Sequence, residues 1–136
     1  METNVDRLLE RGFEAHQAGN LQDAERLYLA VLQSQPTNPY ANHNLGVLAV
    51  SNSETEESLP FFKVALEANS KIDQFWLSYI DALIKEQEFG NARQVLEQAK
   101  VKGVSIEKLK ILDAEIPSIN VGKNIGGVSP QQESIR

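Results

Sequence analysis

The chain has 136 residues, of which 41% are apolar and 24% are charged, and its formal net charge is −6. This length and composition suit one globular domain with a sizeable core. The negative charge argues against a nucleic-acid partner, which requires positive charge against its phosphates. The absence of cysteine excludes disulfides and thiolate metal sites and fits a reducing, cytoplasmic compartment. We see no signal peptide and no run near the roughly 18 apolar residues of a membrane helix, so no membrane partner is expected.

From the N-terminus, apolar residues recur at intervals of three and four residues in two successive segments. This spacing is typical of amphipathic helices. A turn at Gly19–Asn20 separates the two predicted helices, because glycine readily adopts the left-handed conformation that ends a helix. Pro36 and Pro39 end the second helix. The apolar positions are Leu8, Leu9, Gly12, Phe13 and Ala15 in the first helix, and Leu21, Ala24, Leu27, Tyr28, Val31 and Leu32 in the second.

The same arrangement of two helices and a turn is predicted twice more along the chain. The second pair is expected over Asn42–Val50 and Phe61–Ala68, and the third over Phe75–Ile84 and Ala92–Ala99. Pro60 is placed near the start of the second helix of its pair, where its missing N–H costs little.

A shift of the sequence by 34 residues aligns positions of similar size. Gly12 falls on Gly46, and Tyr28 falls on Phe62. We interpret the small residues as places where two antiparallel helices approach closely, and the large ones as filling the spaces between successive pairs. A fixed period of this length is typical of repeat architectures in which each unit packs against its neighbours. The alternative is a helical bundle with chance periodicity.

These residues resemble the tetratricopeptide repeat (TPR) family, whose pattern has the same period. The resemblance covers about residues 5–106. It implies an all-α fold, an α-solenoid of three TPR helix-turn-helix repeats (about 5–38, 39–72 and 73–106) plus a C-terminal capping helix. Ser58 and Ile80 depart from the small residues of the family pattern, and we expect them to loosen packing locally. The matching residues are Ala24, Tyr28, Pro36, Leu45, Gly46, Phe62, Ala65, Trp76 and Ala92.

The residues after the third repeat are predicted to close the solenoid. Ser105 is a candidate N-cap for a capping helix over 106–116, which completes a TPR domain of residues 1–116. Solenoids need such a cap over their last apolar face. Residues 117–136 are rich in glycine and have no helical period, so we predict a flexible tail or linker there.

The sequence contains no recognisable catalytic motif: zinc-protease, nucleophile-elbow, phosphate-loop and EF-hand patterns are all missing. We therefore predict a protein that is not an enzyme and has no cofactor or metal. Its two histidines, His16 and His43, align so that both could face one groove. There, hydrogen bonding to a peptide is favoured over a metal pair. Asp81 lies between apolar residues of a predicted helix and either lines the same groove or reaches solvent.

The resemblance to TPR proteins implies a concave groove lined by the first helix of each pair. Carried over onto this sequence, the groove is mostly apolar and has few charges. The alternative for some of its residues, Leu9 and Leu77 above all, is a position in the core. The predicted groove consists of Leu9, Phe13 and His16 from the first unit, Tyr40, His43, Val47 and Val50 from the second, and Gln74, Leu77, Asp81 and Ile84 from the third.

Such a groove is expected to bind a protein or peptide segment, and an amphipathic helix is one candidate. TPR domains that hold the acidic C-termini of chaperones use a clamp of Lys, Asn and Arg. Of this clamp only the asparagine remains here, so we expect no binding of acidic chaperone tails. Self-association through the groove or the last helix is a further option. The positions that match the clamp are Leu9, Phe13, Asn44, Gln74 and Ser78.

A second resemblance is to the N-terminal TPR block of bacterial multi-domain transferases of the glycosyltransferase, sulfotransferase or methyltransferase type. It rests on residues 15–21 (AHQAGNL) with Ala24, Glu25, Tyr28 and Pro36, on residues 45–49 (LGVLA) and on the helix start Leu59-Pro60-Phe61-Phe62. It implies the alternative function of a substrate-recruiting region, with any catalysis in another part of a longer protein.

Overall fold

The computed structural model describes residues 2–118, which form seven α-helices joined by short turns, with no strand in that range. The predicted all-α fold is confirmed. The tail predicted over 117–136 lies, apart from its first two residues, outside the described residues. None of the described helices is long and apolar enough to cross a membrane. The helices are α1 (Asn4–Gln17), α2 (Leu21–Ser34), α3 (Pro39–Ser51), α4 (Thr55–Ala68), α5 (Asp73–Lys85), α6 (Phe89–Val101) and α7 (Ile106–Glu115).

Side-chain caps define the starts of α1, α3 and α7. Thr3 and Asp6 form a reciprocal capping box at α1, which satisfies two backbone N–H groups that a helix start leaves free. The Asn38 side chain accepts a hydrogen bond from the Ala41 N–H at 2.9 Å, in front of a helix that opens with proline. Ser105, the candidate N-cap of the last helix, accepts one from the Lys108 N–H at 3.5 Å.

The turn inside each helical pair contains one residue in the left-handed region. Gly19 has φ +83°, as the sequence predicts, and Ser53 and Gln87 have φ +62° and +60° at the equivalent positions of the next two pairs. An L-residue in this conformation costs about 1–2 kcal/mol relative to its ordinary backbone geometry. The second and third turns are therefore strained where the first is not.

Close approach of paired helices explains two of the glycines. A Cβ atom added to Gly12 would lie 2.6 Å from Cε1 of Tyr28, and one added to Gly46 would lie 2.5 Å from Cε1 of Phe62. Both aromatic rings are buried, so they occupy the space that the missing side chains leave. This matches the interpretation that small residues mark the contact between antiparallel helices. The two rings, which were expected in the spaces between successive pairs, fill space within their own pair.

The third pair has different residues at the same two positions. Ile80 stands at the position of the glycine, and Leu96 stands at the position of the aromatic residue; both are completely buried in one apolar cluster. Ser58 is also completely buried, and its hydroxyl donates to the Thr55 carbonyl. Ser58 and Ile80 were expected to loosen the packing, but neither side chain is exposed to solvent. At Ile80 the larger residue faces the smaller Leu96, and at Ser58 the added hydroxyl has a hydrogen-bond partner.

Helix α4 begins at Thr55, six residues before the predicted start at Phe61. Pro60 is therefore an interior residue of α4, not one of its first turn. Its ring removes the hydrogen bond that its backbone nitrogen would donate to the Glu56 carbonyl. Pro60 is exposed, so water can satisfy that carbonyl, which is why the helix tolerates it.

The solenoid is packed differently on its two sides. Consecutive helices contact one another throughout, and the odd-numbered helices also contact each other, α1 with α3, α3 with α5, and α5 with α7. Within residues 2–118 no such contact joins α2 with α4 or α4 with α6. The odd-numbered helices therefore line the inner, concave side, and the even-numbered helices are spread apart on the outer, convex side.

Candidate functional site

The predicted groove residues all lie on α1, α3 or α5, the helices of the concave side, and none of them is fully buried. Two aromatic side chains are the most open of the large ones: Phe13 is 53% exposed and Tyr40 is 49% exposed. His16, Val47 and Val50 are half-buried. The concave side thus presents apolar and aromatic surface to solvent.

The floor of this groove is shared with the core. Leu9 is half-buried against the cluster around Tyr28, and Leu77 and Ile84 are half-buried against the cluster around Ile80. The alternative of a core position for Leu9 and Leu77 is therefore correct for part of each side chain. Their remaining surface lies between the more exposed groups of α1, α3 and α5.

A line of polar side chains connects α3 with α5 across the groove. Gln74 Nε2 donates to Ser78 Oγ at 3.0 Å, and Ser78 Oγ lies 2.8 Å from His43 Nε2. The other ring nitrogen of His43 lies 3.4 Å from the Asn44 side-chain oxygen. Because neutral histidine has one donor and one acceptor nitrogen, the complete network requires Ser78 to donate to Nε2 and Nδ1–H to donate to Asn44. Every member is then paired, and one tautomer of His43 is selected.

Aromatic rings hold His43 in place and keep it neutral. Its ring stacks on Phe75, with centroids 4.8 Å apart and planes 28° apart, and it is tilted against Phe62 at 5.5 Å. Burial lowers the pKa of His43 below its ordinary value of 6.5, and the hydrogen bond with Asn44 offsets part of that effect. Tyr40 completes the group, since its ring packs edge-on against Phe75 at 5.9 Å.

Solved structures with a similar fold exist, whereas no protein-family model matches the chain and no curated protein does either. The TPR2B domain of yeast Sti1, in a complex with pHsp70, superposes with a TM-score of 0.74 at 15% identity, over 82% of this chain and 94% of that one. The Sgt2 TPR domain from Aspergillus fumigatus gives 0.71 at 20% identity, over 92% and 93%.

The chain has the tetratricopeptide-repeat fold. The Yersinia enterocolitica type III secretion chaperone SycD, solved with a peptide of the translocator YopD, has the same architecture, with a TM-score of 0.67 at 16% identity over 82% of this chain and 85% of that one. At these identities the likeness shows the TPR fold alone.

The TPR groove continues beyond the predicted set, onto α7. A cavity of about 290 Å³ lies between α5 and α7. Asp81 lines it, so this side chain faces the groove, where it forms an ion pair with Lys85. The sequence analysis missed the α7 side of the cavity. A signal was available, because Lys108 and Ile111 follow Gln74 and Leu77 by one repeat length. The cavity is lined by Gln74, Leu77, Ser78, Asp81, Lys108, Ile111 and Leu112.

The side chains of this TPR groove are mostly apolar, and its polar groups already have partners. No group of three or more His, Cys, Asp or Glu side chains suited to a metal ion occurs in the described part of the chain. Both ring nitrogens of His43 already have partners, and the charge of Asp81 is balanced by Lys85. What the groove offers is exposed apolar surface beside neutral hydrogen-bonding groups in fixed positions.

Proposed function

We propose that this chain is a non-catalytic interaction module that binds a partner segment, such as an amphipathic helix, in the groove of α1, α3 and α5. The observation that supports this most directly is the pair of exposed aromatic side chains, Phe13 and Tyr40, above a half-buried apolar floor. The solved TPR structures point the same way, since the Sti1 domain is in complex with pHsp70 and SycD with a YopD peptide.

The groove favours a segment with apolar side chains and little net charge. Its central histidine is neutral, and its carboxylate at Asp81 is already paired. Burial of apolar surface contributes about 25 cal/mol per Å², so covering the groove would supply several kcal/mol before the cost of association is subtracted. The line of polar side chains from Gln74 to Asn44 would orient the segment. A polar group of the segment that is buried there without a hydrogen-bond partner would lose its hydrogen bonds to water.

The test is capture of a partner by the full chain, compared with groove variants. Phe13→Glu and Tyr40→Glu place a charge where the partner's apolar side chains would lie, and both positions are exposed enough to leave the fold intact. Leu29→Glu is the matched control, because Leu29 is 45% exposed on α2, away from the groove. A partner retained by Leu29→Glu and lost from both groove variants supports the proposal. A partner retained by all three variants contradicts it.

The alternative is that this module is the substrate-recruiting region of a larger bacterial transferase. Only the resemblance of residues 15–21, 24–25, 28, 36, 45–49 and 59–62 favours it. Reading the gene beyond the codon for Arg136 tests it. An open frame that continues into a transferase domain supports the alternative, and a stop codon there removes it.

A further inference from the structure

A slot with an apolar floor and a polar rim lies on the convex side of the solenoid, where α2 and α4 are spread apart over α3. Its volume is about 370 Å³, which is within the range of sites that receive a side chain or small group. Leu45 and Leu48 of α3 form its floor, and Leu21 and Phe61 stand at its sides. The remaining lining residues are polar or small: Gln22, Glu25, Ala49, Asn52, Glu54 and Glu57.

The charge at the rim of this slot is unbalanced. Glu25, Glu54 and Glu57 are exposed and form no ion pair within residues 2–118. The dipole of α4 accounts for Glu54 and Glu57, which lie at its start. Glu25 lies beyond the first turn of α2, so the helix dipole does not account for it. An apolar floor below uncompensated carboxylates suits a group that combines an apolar side chain with positive charge.

This chain itself presents such a group at the end of α6. Val101, the last residue of α6, is 85% exposed, more than any other large apolar side chain that the structure describes. Lys100 and Lys102 flank it. Lys102 forms no ion pair in the described range, and Lys100 has only the exposed Glu97 at 3.3 Å. The chain turns at Gly103, which has φ +91°. Lys100, Val101 and Lys102 therefore form a tip that projects from the end of α6.

We propose that Val101 of one chain enters the convex slot of a second copy, with Lys100 and Lys102 placed against the rim carboxylates. The two regions are complementary in charge and in apolar surface, and neither has a partner within residues 2–118. The two regions differ, so the contact is heterologous, and repeating it joins chains head to tail without closure. The concave groove takes no part, and the inference is therefore independent of the proposed function.

Sedimentation equilibrium of the full chain at low salt, from micromolar to millimolar concentration, tests this association. The average mass is expected to rise past that of a dimer, and to fall again with added salt, which screens the charges. Val101→Glu disables the tip and should remain monomeric. The double variant Glu25→Lys with Glu57→Lys disables the slot and should also remain monomeric. An equimolar mixture of the two variants retains one intact tip and one intact slot per pair. It should therefore reach the mass of a dimer and stop there.

Control variants separate this contact from other modes of association. Leu29→Glu matches Val101→Glu in type, and Glu10→Lys with Glu14→Lys matches the slot variant in net charge; both should associate like the wild-type chain. Phe13→Glu should do so as well, because self-association through the concave groove is a different contact. A wild-type chain that stays monomeric throughout, a mixture that stays monomeric, or a loss of association in Phe13→Glu would each overturn the inference.

Discussion

Replacement of Gly46 by alanine tests the closest contact in the solenoid. Gly46 lies on α3, and the ring of Phe62 on α4 fills the place where a side chain would be. The added Cβ atom would lie 2.5, 2.7 and 2.9 Å from three atoms of that ring, where 3.4–4 Å is ordinary contact. Phe62 is 2% exposed and is held from another side by His43. The ring must therefore move by about 1 Å within a closely packed core.

The expected cost follows from two opposing terms. Overpacking of this kind costs about 1–3 kcal/mol, and the buried, rigid ring places Gly46→Ala at the upper end. Alanine is favoured over glycine in a helix by about 1 kcal/mol. The net loss in the free energy of unfolding is therefore about 2 kcal/mol. For a chain of this size that corresponds to a Tm lower by about 6–8 °C.

Thermal unfolding followed by circular dichroism measures this change. Gly90→Ala is the matched control, because Gly90 lies in α6 with no atom within 4 Å of its added Cβ, so the same substitution should raise the Tm slightly. A Phe62→Leu background supplies a second check, since it removes the ring atoms that clash. If Gly46→Ala is no less stable than Gly90→Ala, or costs the same with Phe62→Leu, the steric explanation is refuted.

Three further outcomes are expected. Burial lowers the pKa of His43 in the folded state. The folded chain should therefore lose stability as the pH falls below about 6.5. In thermal melts between pH 8 and 5, His43→Gln should lack this contribution to the fall of Tm with pH. Gln87→Gly should raise the free energy of unfolding by about 1 kcal/mol, because glycine adopts the left-handed backbone at φ +60° without strain. A denaturant titration that shows no gain would mean that the turn is not strained. Acidic chaperone-tail peptides should show no heat of binding in calorimetry, since the clamp positions Leu9 and Phe13 are apolar, and micromolar binding would contradict this.

The sequence was sufficient for the features that depend on local spacing. The period of apolar residues predicts the helical pairs, and the alignment of Gly12 with Gly46 predicts where the two helices of a pair approach closely. That the ring of Tyr28 or Phe62 fills this place within its own pair was not predicted, because the large residues were expected between successive pairs. The start of α4 was predicted wrongly, because the polar run before Pro60 has the composition of a turn and proline is common at helix starts. The left-handed residues Ser53 and Gln87 could have been inferred only from their repeat position, since neither is glycine.

The candidate site was less accessible to sequence reasoning. The repeat alignment predicts that the groove residues share the concave side. Their binding of a partner stays a prediction. The hydrogen bond between His43 and Ser78 joins helices of different pairs, and its distance depends on the rotation of one pair against the next, which no local pattern specifies. The convex slot likewise exists only because α2 and α4 are spread apart.

The uneven contacts between helices also determine how the solenoid can bend. The odd-numbered helices touch one another along the concave side, whereas the even-numbered helices are separated by gaps. In the language of elasticity, the neutral axis of bending, along which lengths do not change, lies close to the odd-numbered helices. The compliance of the solenoid is concentrated in the gaps between the even-numbered helices. A change of curvature is therefore absorbed mainly as a widening or narrowing of the gaps on the convex side, while the spacing along the groove stays nearly constant.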